Sequence, residues 1–232
     1  STVVFFKEKS DKLEASRIER EKDGENWDLS RLETADSCDY LSSTEKNVIL
    51  EMNKVRSDPA KYAELYIKPR LNRYSGNLYI EGDKRIQMKE GKKAAQECYD
   101  VLRRSPIVPV LQPEESLHRA AKDHAADQGK TGATGHTGSD GSSPGNRVAR
   151  YKLNLSYIGE NISYGSDTAR EILVQLLIDD GVPSRGHRKN IMHPNYAITG
   201  VAIGAHRQYE TMCVLVYGGL PEPRRTAFLS AP

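Results

Sequence analysis

An α+β domain, with helices covering a small antiparallel sheet, is what this sequence predicts. Three observations carry that expectation. Apolar residues recur at helical spacing through the first half of the chain. One extended stretch, Tyr157 to Tyr164, follows a long glycine-rich loop. Two apolar runs, Ile198 to Ala205 and Thr211 to Gly218, flank a turn at His206 to Glu210 and read as a closing β-hairpin.

The elements follow in order. Residues 1–42 form a charged extension: Lys7 to Glu25 is dense in both signs, with only Leu13 and Ile18 as bulky apolar residues. Such a stretch buries too little surface to offset its ordering entropy alone. It either lies on the surface as a solvated segment or docks on a protein partner. The domain is expected over residues 43–220, with residues 221–232 as a tail. Val48, Met52 and Val55 stand at i, i+4 and i+7 of a first helix. Asp58-Pro59 opens a second, Asp as N-cap and Pro in the first turn, carrying Tyr62, Leu65 and Tyr66. Asn72 to Asp83, with Gly76 and Gly82, reads as a loop. A helix through Ala94, Ala95, Cys98 and Leu102 ends before Pro106, and Pro106, Pro109 and Pro113 mark an extended connector.

Pro113-Glu114-Glu115 then opens a helix whose inner face holds Leu117, Ala121, His124 and Ala125, with Gly129 as its stop. Lys130 to Gly145 is loop, Asn146 to Tyr151 a short helix, and Asp167 to Asp180 the clearest helix of the chain. On that helix Ile172, Leu173, Leu176 and Leu177 define the buried face. Asp180 continues it, while Asp179 is turned about 100° away at 3.6 residues per turn. An inward carboxylate needs a partner. It either binds nearby backbone, pairs with Arg185 or Arg188, or serves a site.

Composition narrows the function classes. The 232 residues suffice for one ordinary domain plus an extension, and 37% of them are hydrophobic. No apolar run approaches the ~20 residues that span a bilayer. A formal net charge of +2 gives no electrostatic case for nucleic acid. Cys38, Cys98 and Cys213 allow one bridge and a free thiol, or three thiols. No charged-then-apolar leader is visible after Ser1. The residues alone therefore leave two compartments open: extracytoplasmic after removal of a leader, or cytoplasmic or cytoskeletal after loss of an initiator Met.

Three groups in glycine-rich surroundings are the candidates for chemistry: His136, Glu160 and His187. A lone loop histidine is ordinarily just solvated. Two histidines and a carboxylate brought together, however, suit zinc or a similar divalent ion with open positions. Two motifs are dismissed. Gly129-Lys130-Thr131 mimics the end of a phosphate-binding loop, but His124 stands where the first Gly is required. Ser184 near His187 lacks the strand-turn-helix elbow of a nucleophile. Asn154-Leu155-Ser156 and Asn161-Ile162-Ser163 match the glycosylation sequon, a common chance match.

In combination these pieces resemble the CAP family, also called SCP/TAPS. The resemblance covers roughly Ser43 to Leu220. It rests on Asn53 and Arg56 of the first helix and on Leu117-x-x-Ala120-x-x-x-His124-Ala125. It rests also on Gly135-His136 with Asp140-Gly141 and Arg147, on Gly159-Glu160-Asn161-Ile162, and on Gly186-His187-Arg188-x-Asn190-Ile191. Where the family carries Trp and then Glu before its second histidine, this chain would have Leu177 and Asp180.

The resemblance implies a three-layer α-β-α sandwich and a cleft of His136, Glu160, Asp180 and His187, with His136 and His187 as the metal ligands. It implies a secreted protein linked to sterol, fatty-acid or divalent-ion binding and, rarely, to proteolysis. A non-catalytic binding module leads. A metal-dependent hydrolase using Glu160, His136 and His187 is the second reading. A structural part of an assembly held by residues 1–42 is the third.

Overall fold

The structure, a computed structural model, describes residues 27–221. A single turn, α1 (Leu29–Leu32), precedes the first long helix, α2 (Ser43–Ser57). Ser42 starts α2 with a reciprocal capping box: its hydroxyl accepts from the Glu45 amide, and the Glu45 carboxylate accepts from the Ser42 amide. Asp58 and Pro59 open α3 (Pro59–Tyr62), which runs on through a π-helical turn, Ala63–Ile67, and a 3-10 turn, Lys68–Arg73.

The stretch expected as a loop at Asn72–Asp83 is instead the start of a three-stranded antiparallel meander. Its strands are β1 (Tyr74–Ser75), β2 (Leu78–Glu81) and β3 (Lys84–Gln87). Gly76-Asn77 and Gly82-Asp83 make its two turns, with φ of 59° at Gly76 and 56° at Gly82. Two-residue turns of that composition follow the natural twist of paired strands.

Helix α4 (Lys92–Leu102) and the short β4 (Gln112–Pro113) lead into α5 (Glu115–Thr131). Helix α5 does not stop at Gly129. It runs to Gly132, which takes the left-handed cap at φ 74°. Gly129 lies within the helix because a Cβ there would sit 2.4 Å from the Ala205 carbonyl oxygen, so its absence lets helix and sheet approach. Then come α6 (Pro144–Ala149), β5 (Tyr157–Tyr164), α7 (Ala169–Ile178), α8 (Gly186–Ile191), β6 (Ile198–His206) and β7 (Glu210–Gly219).

The main sheet has the order β4-β6-β7-β5. Its three long strands are antiparallel, and β4 joins β6 in parallel over two residues. On one face α5 packs Leu117, Ala121 and Ala125 against Ile198, Ala202, Met212 and Val214. On the other, α2, α4 and α7 pack Val48, Met52, Ala95, Ile172 and Leu173 against Val201, Cys213, Leu215 and Tyr217. The result is the α-β-α sandwich, with β5 as an outer strand. Cys38, Cys98 and Cys213 are free thiols, the last two buried in that second layer.

The expected boundary at residue 43 falls too late. Leu32, Ala35 and Leu41 are buried, and the Thr34 hydroxyl donates to the Leu111 carbonyl. The Asn53 amide nitrogen donates to the Leu32 and Leu111 carbonyls, while its oxygen accepts from the Leu111 amide. Residues 27–42 therefore belong to the packed body. The charged run Lys7 to Glu25 and nearly all of the tail lie outside the described residues. Arg56, fully buried, donates to the carbonyls of Pro109, Ile191, His193 and Tyr196, which ties α2 to the segment following α8. Burial without a carboxylate partner lowers its pKa to about 10.

Candidate functional site: two histidine–carboxylate pairs beside strand β5

Alternation along β5 sends successive side chains to opposite faces of the sheet. Glu160 points toward α6 and the loop before it, and Asn161 toward α7 and α8. On the first side, His136 Nδ1 lies 2.9 Å from Glu160 Oε1. The other carboxylate oxygen accepts from Arg147 Nη2 at 2.7 Å. The Glu160 side chain is 1% exposed and that of Arg147 2%, whereas the His136 ring is half exposed. Arg147 also donates to the carbonyls of His136 and Ser142, so one guanidinium fixes both the carboxylate and the backbone of its histidine. Such a buried ion pair is sustained by these extra bonds rather than by attraction alone.

On the second side, His187 Nδ1 lies 2.6 Å from Asp179 Oδ1, and the His187 amide donates to Asp179 Oδ2 at 3.0 Å. Asp179 is 2% exposed in its side chain and the His187 ring 26%. His187 is not in open loop, as the sequence suggested. It sits in the first turn of α8, and Asp179 satisfies one of that helix's unpaired amides while it orients the ring. A carboxylate can only accept, so in both pairs Nδ1 carries the hydrogen, and the ring in its neutral form has Nε2 as its acceptor.

The expected role of Asp180 is corrected here. Helix α7 ends at Ile178, and Asp179 takes a left-handed conformation at φ 57°. Helical periodicity cannot be carried past that residue. Asp179 therefore turns inward to His187, and Asp180 turns to the segment after β3. There its carboxylate accepts from the amides of Lys89, Glu90 and Gly91 at 2.6–3.0 Å. This is the backbone-binding alternative for Asp180. Asp179 was missed because nothing in the one-dimensional pattern announces a non-glycine residue in the left-handed region.

The two pairs are bridged through β5. Asn161 Nδ2 donates to the His187 carbonyl, and Asn190 Nδ2 donates to the Glu160 carbonyl and to Asn161 Oδ1. Below His187, Arg185 is chelated by Glu90 and Glu97 and donates to the Asp179 carbonyl. Arg185 and the Gly181 amide together lower the Glu90 pKa to about 2. His124, an unassigned histidine of the sequence, is buried, and its Nε2 donates to the Gly135 carbonyl next to His136. Burial lowers its pKa. Asn161 is fully buried, which removes its sequon as a surface acceptor. Among the described residues, no group of three or more His, Cys, Asp or Glu is arranged to hold a metal.

A cavity of about 400 Å³ adjoins the second pair. His187 and Asp179 stand at its end, α7 and β5 form one wall, and the β1–β3 meander forms the other. His136 and Glu160 are not among its lining residues.

Residues 96–217, just over half of the chain, match CAP, described as the cysteine-rich secretory protein family. The chain belongs to the CAP family. Its CAP match holds both pairs and begins after the meander. YkwD of Bacillus subtilis (strain 168), itself described as uncharacterized, is 27% identical over 110 residues, 47% of this chain and 41% of that protein. The chain thus matches less than half the length of that relative. Among solved structures, an outer surface protein from Borrelia burgdorferi is 18% identical with a TM-score of 0.43, covering 49% of this chain and 80% of that one. The CAP domain of enterococcal PrgA is 15% identical with a TM-score of 0.38, covering 81% and 82%.

Proposed function

We propose that this CAP protein is a non-catalytic binding module. The observation that carries the reading is the pairing of each site histidine with its own buried carboxylate through Nδ1, which leaves both Nε2 atoms without a hydrogen-bond partner among the described residues. Catalysis would need a nucleophile with an ordered base, or an activated water, plus donors aimed at the developing charge. Glu160, the only base of the hydrolase reading, has one oxygen on His136 and the other on Arg147.

Carboxylate-oriented imidazoles fit the outer-shell arrangement of metal-binding histidines. His136 and His187 are the residues that would hold a divalent ion through Nε2, and zinc there would supply Lewis acidity. With two such donors, affinity should be modest. Calorimetric zinc titration is expected to give a signal that is lost in the His136→Ala/His187→Ala double variant with circular dichroism unchanged. An unaltered isotherm in that variant would exclude these rings. Peptidase or esterase turnover by purified protein, abolished by Glu160→Gln, would replace the binding module with the enzyme. A location outside the cytoplasm goes with the family's secretory description; recovery of the native chain solely in the cytoplasmic fraction would reject it.

A further inference from the structure

We infer that the cavity between the β1–β3 meander and strand β5 binds a short extended peptide, one backbone amide of which pairs with Ile162. This rests on the binding-module reading and names the ligand class.

The first observation is a strand edge left open inside the cavity. The Gly165 amide donates to the Thr211 carbonyl, so Gly165 and the residues two apart from it, Ser163 and Asn161, turn their backbone groups to β7. The intervening residues Glu160, Ile162 and Tyr164 turn theirs outward. Two side-chain bonds agree: the Glu160 carbonyl accepts from Asn190 and the Tyr164 carbonyl from Gln175. Those two carbonyls are occupied. Ile162 lies between them, lines the cavity, and has an outward N–H and C=O at one spacing. That pair is complementary to a single residue of an added antiparallel strand.

The second observation is charge. Each charged group on the wall already has a hydrogen-bond or ion-pair partner within the protein. Arg70 pairs with Glu171, Glu81 with Arg73, and Asp179 with His187, while Asp180 accepts from three backbone amides. The nearby cations Arg70 and Arg73 are both matched by carboxylates, so an anionic ligand would enter without a counter-charge and an uncharged one is preferred to it. The third observation is shape. Ile86, Met88, Val174, Ile178 and Val182 supply apolar lining to the same cavity as Ile162, suited to one aliphatic or aromatic side chain. The volume lies at the lower end of the roughly 300–1,000 Å³ usual for small-ligand sites, which suits a few residues rather than a helix. The wall bearing Ile86 and Met88 precedes residue 96, where the family match begins.

The test is a nitrogen-15 NMR titration of the full chain with a pool of capped, uncharged tripeptides whose central residue is Val, Leu, Ile, Phe or Tyr. Saturable shifts are expected at the Ile162 and Tyr164 amides and at His187. The best binder should weaken at least tenfold when its central amide is N-methylated, and at least tenfold in Ile86→Glu, which places a charge on the half-exposed cavity wall. A pool that shifts none of these amides at millimolar concentration overturns the inference, as does an N-methylated peptide of undiminished affinity. Palmitate added alone is the comparison: saturable shifts with palmitate but none with peptide would assign the cavity to acyl chains. Either negative result leaves the zinc titration of His136 and His187 to judge the binding module separately.

Discussion

A single dihedral, φ 57° at Asp179, decides which of two adjacent carboxylates reaches His187. The two aspartates then predict separable phenotypes. Asp179→Ala should release the His187 ring, so that long-range nitrogen-15 NMR shows a mixture of tautomers in place of one with hydrogen on Nδ1. Asp180→Ala should leave that tautomer intact and lower stability by about 1–3 kcal/mol, because three amides lose a charged acceptor. If Asp180→Ala scrambles the tautomer as strongly as Asp179→Ala, the division of roles fails. His136, Glu160 and His187 could be singled out in the sequence by the glycine and polar neighbours that frame them, and as a set by the family resemblance. Asp179 was not: a period of 3.6 is blind to where a helix ends, and a one-residue error there exchanges the inner carboxylate for the outer one.

Helix and strand junctions carry the next level of information. Gly129 within α5 is a packing device rather than a stop signal. Gly129→Ala gains up to about 1 kcal/mol of helix propensity. It also drives a methyl group into the Ala205 carbonyl, an overpacking cost of about 1–3 kcal/mol. Net destabilisation of up to about 2 kcal/mol is expected in urea, and a stabilised variant would show that the contact yields. The clamp between α4 and the loop before α8 predicts pH dependence. The Glu90 pKa is lowered from 4.5 to about 2 by Arg185 and the Gly181 amide. The contribution of that pair is therefore complete above about pH 4.5 and is lost as pH falls toward 2. Glu90→Gln should flatten the urea midpoint across that window; an unchanged slope would remove Glu90 from acid sensitivity. The β1–β3 meander was also written in the sequence, in Gly76-Asn77 and Gly82-Asp83. The strands between those turns are so short, and β3 so exposed, that their alternation resembled a loop.

Across the whole molecule, α5 on one face and α2, α4 and α7 on the other were readable from apolar periodicity, as was the closing pair β6–β7. The attachment of residues 27–42 was not, because Leu32, Ala35 and Leu41 lie among polar residues without a period. A chain beginning at Ser43 should accordingly be less stable than one beginning at Trp27 by about 3 kcal/mol or more, from the lost burial of two leucines alone. In a thermal scan that is a drop on the order of 6–12 °C. Equal melting temperatures would restore the boundary at residue 43. The buried guanidinium of Arg56 has a further consequence, for timing. Its bonds to Ile191, His193 and Tyr196 join residues 135–140 positions apart, so they close some of the longest loops available to this chain. Contacts of such high contact order repay their closure entropy late. The surface around His187 is thus expected to be among the last parts of a nascent chain to set, after the helical layers have docked. Arg56→Lys should speed unfolding in stopped-flow measurements while barely slowing refolding, since the bonds it removes form after the barrier has been crossed.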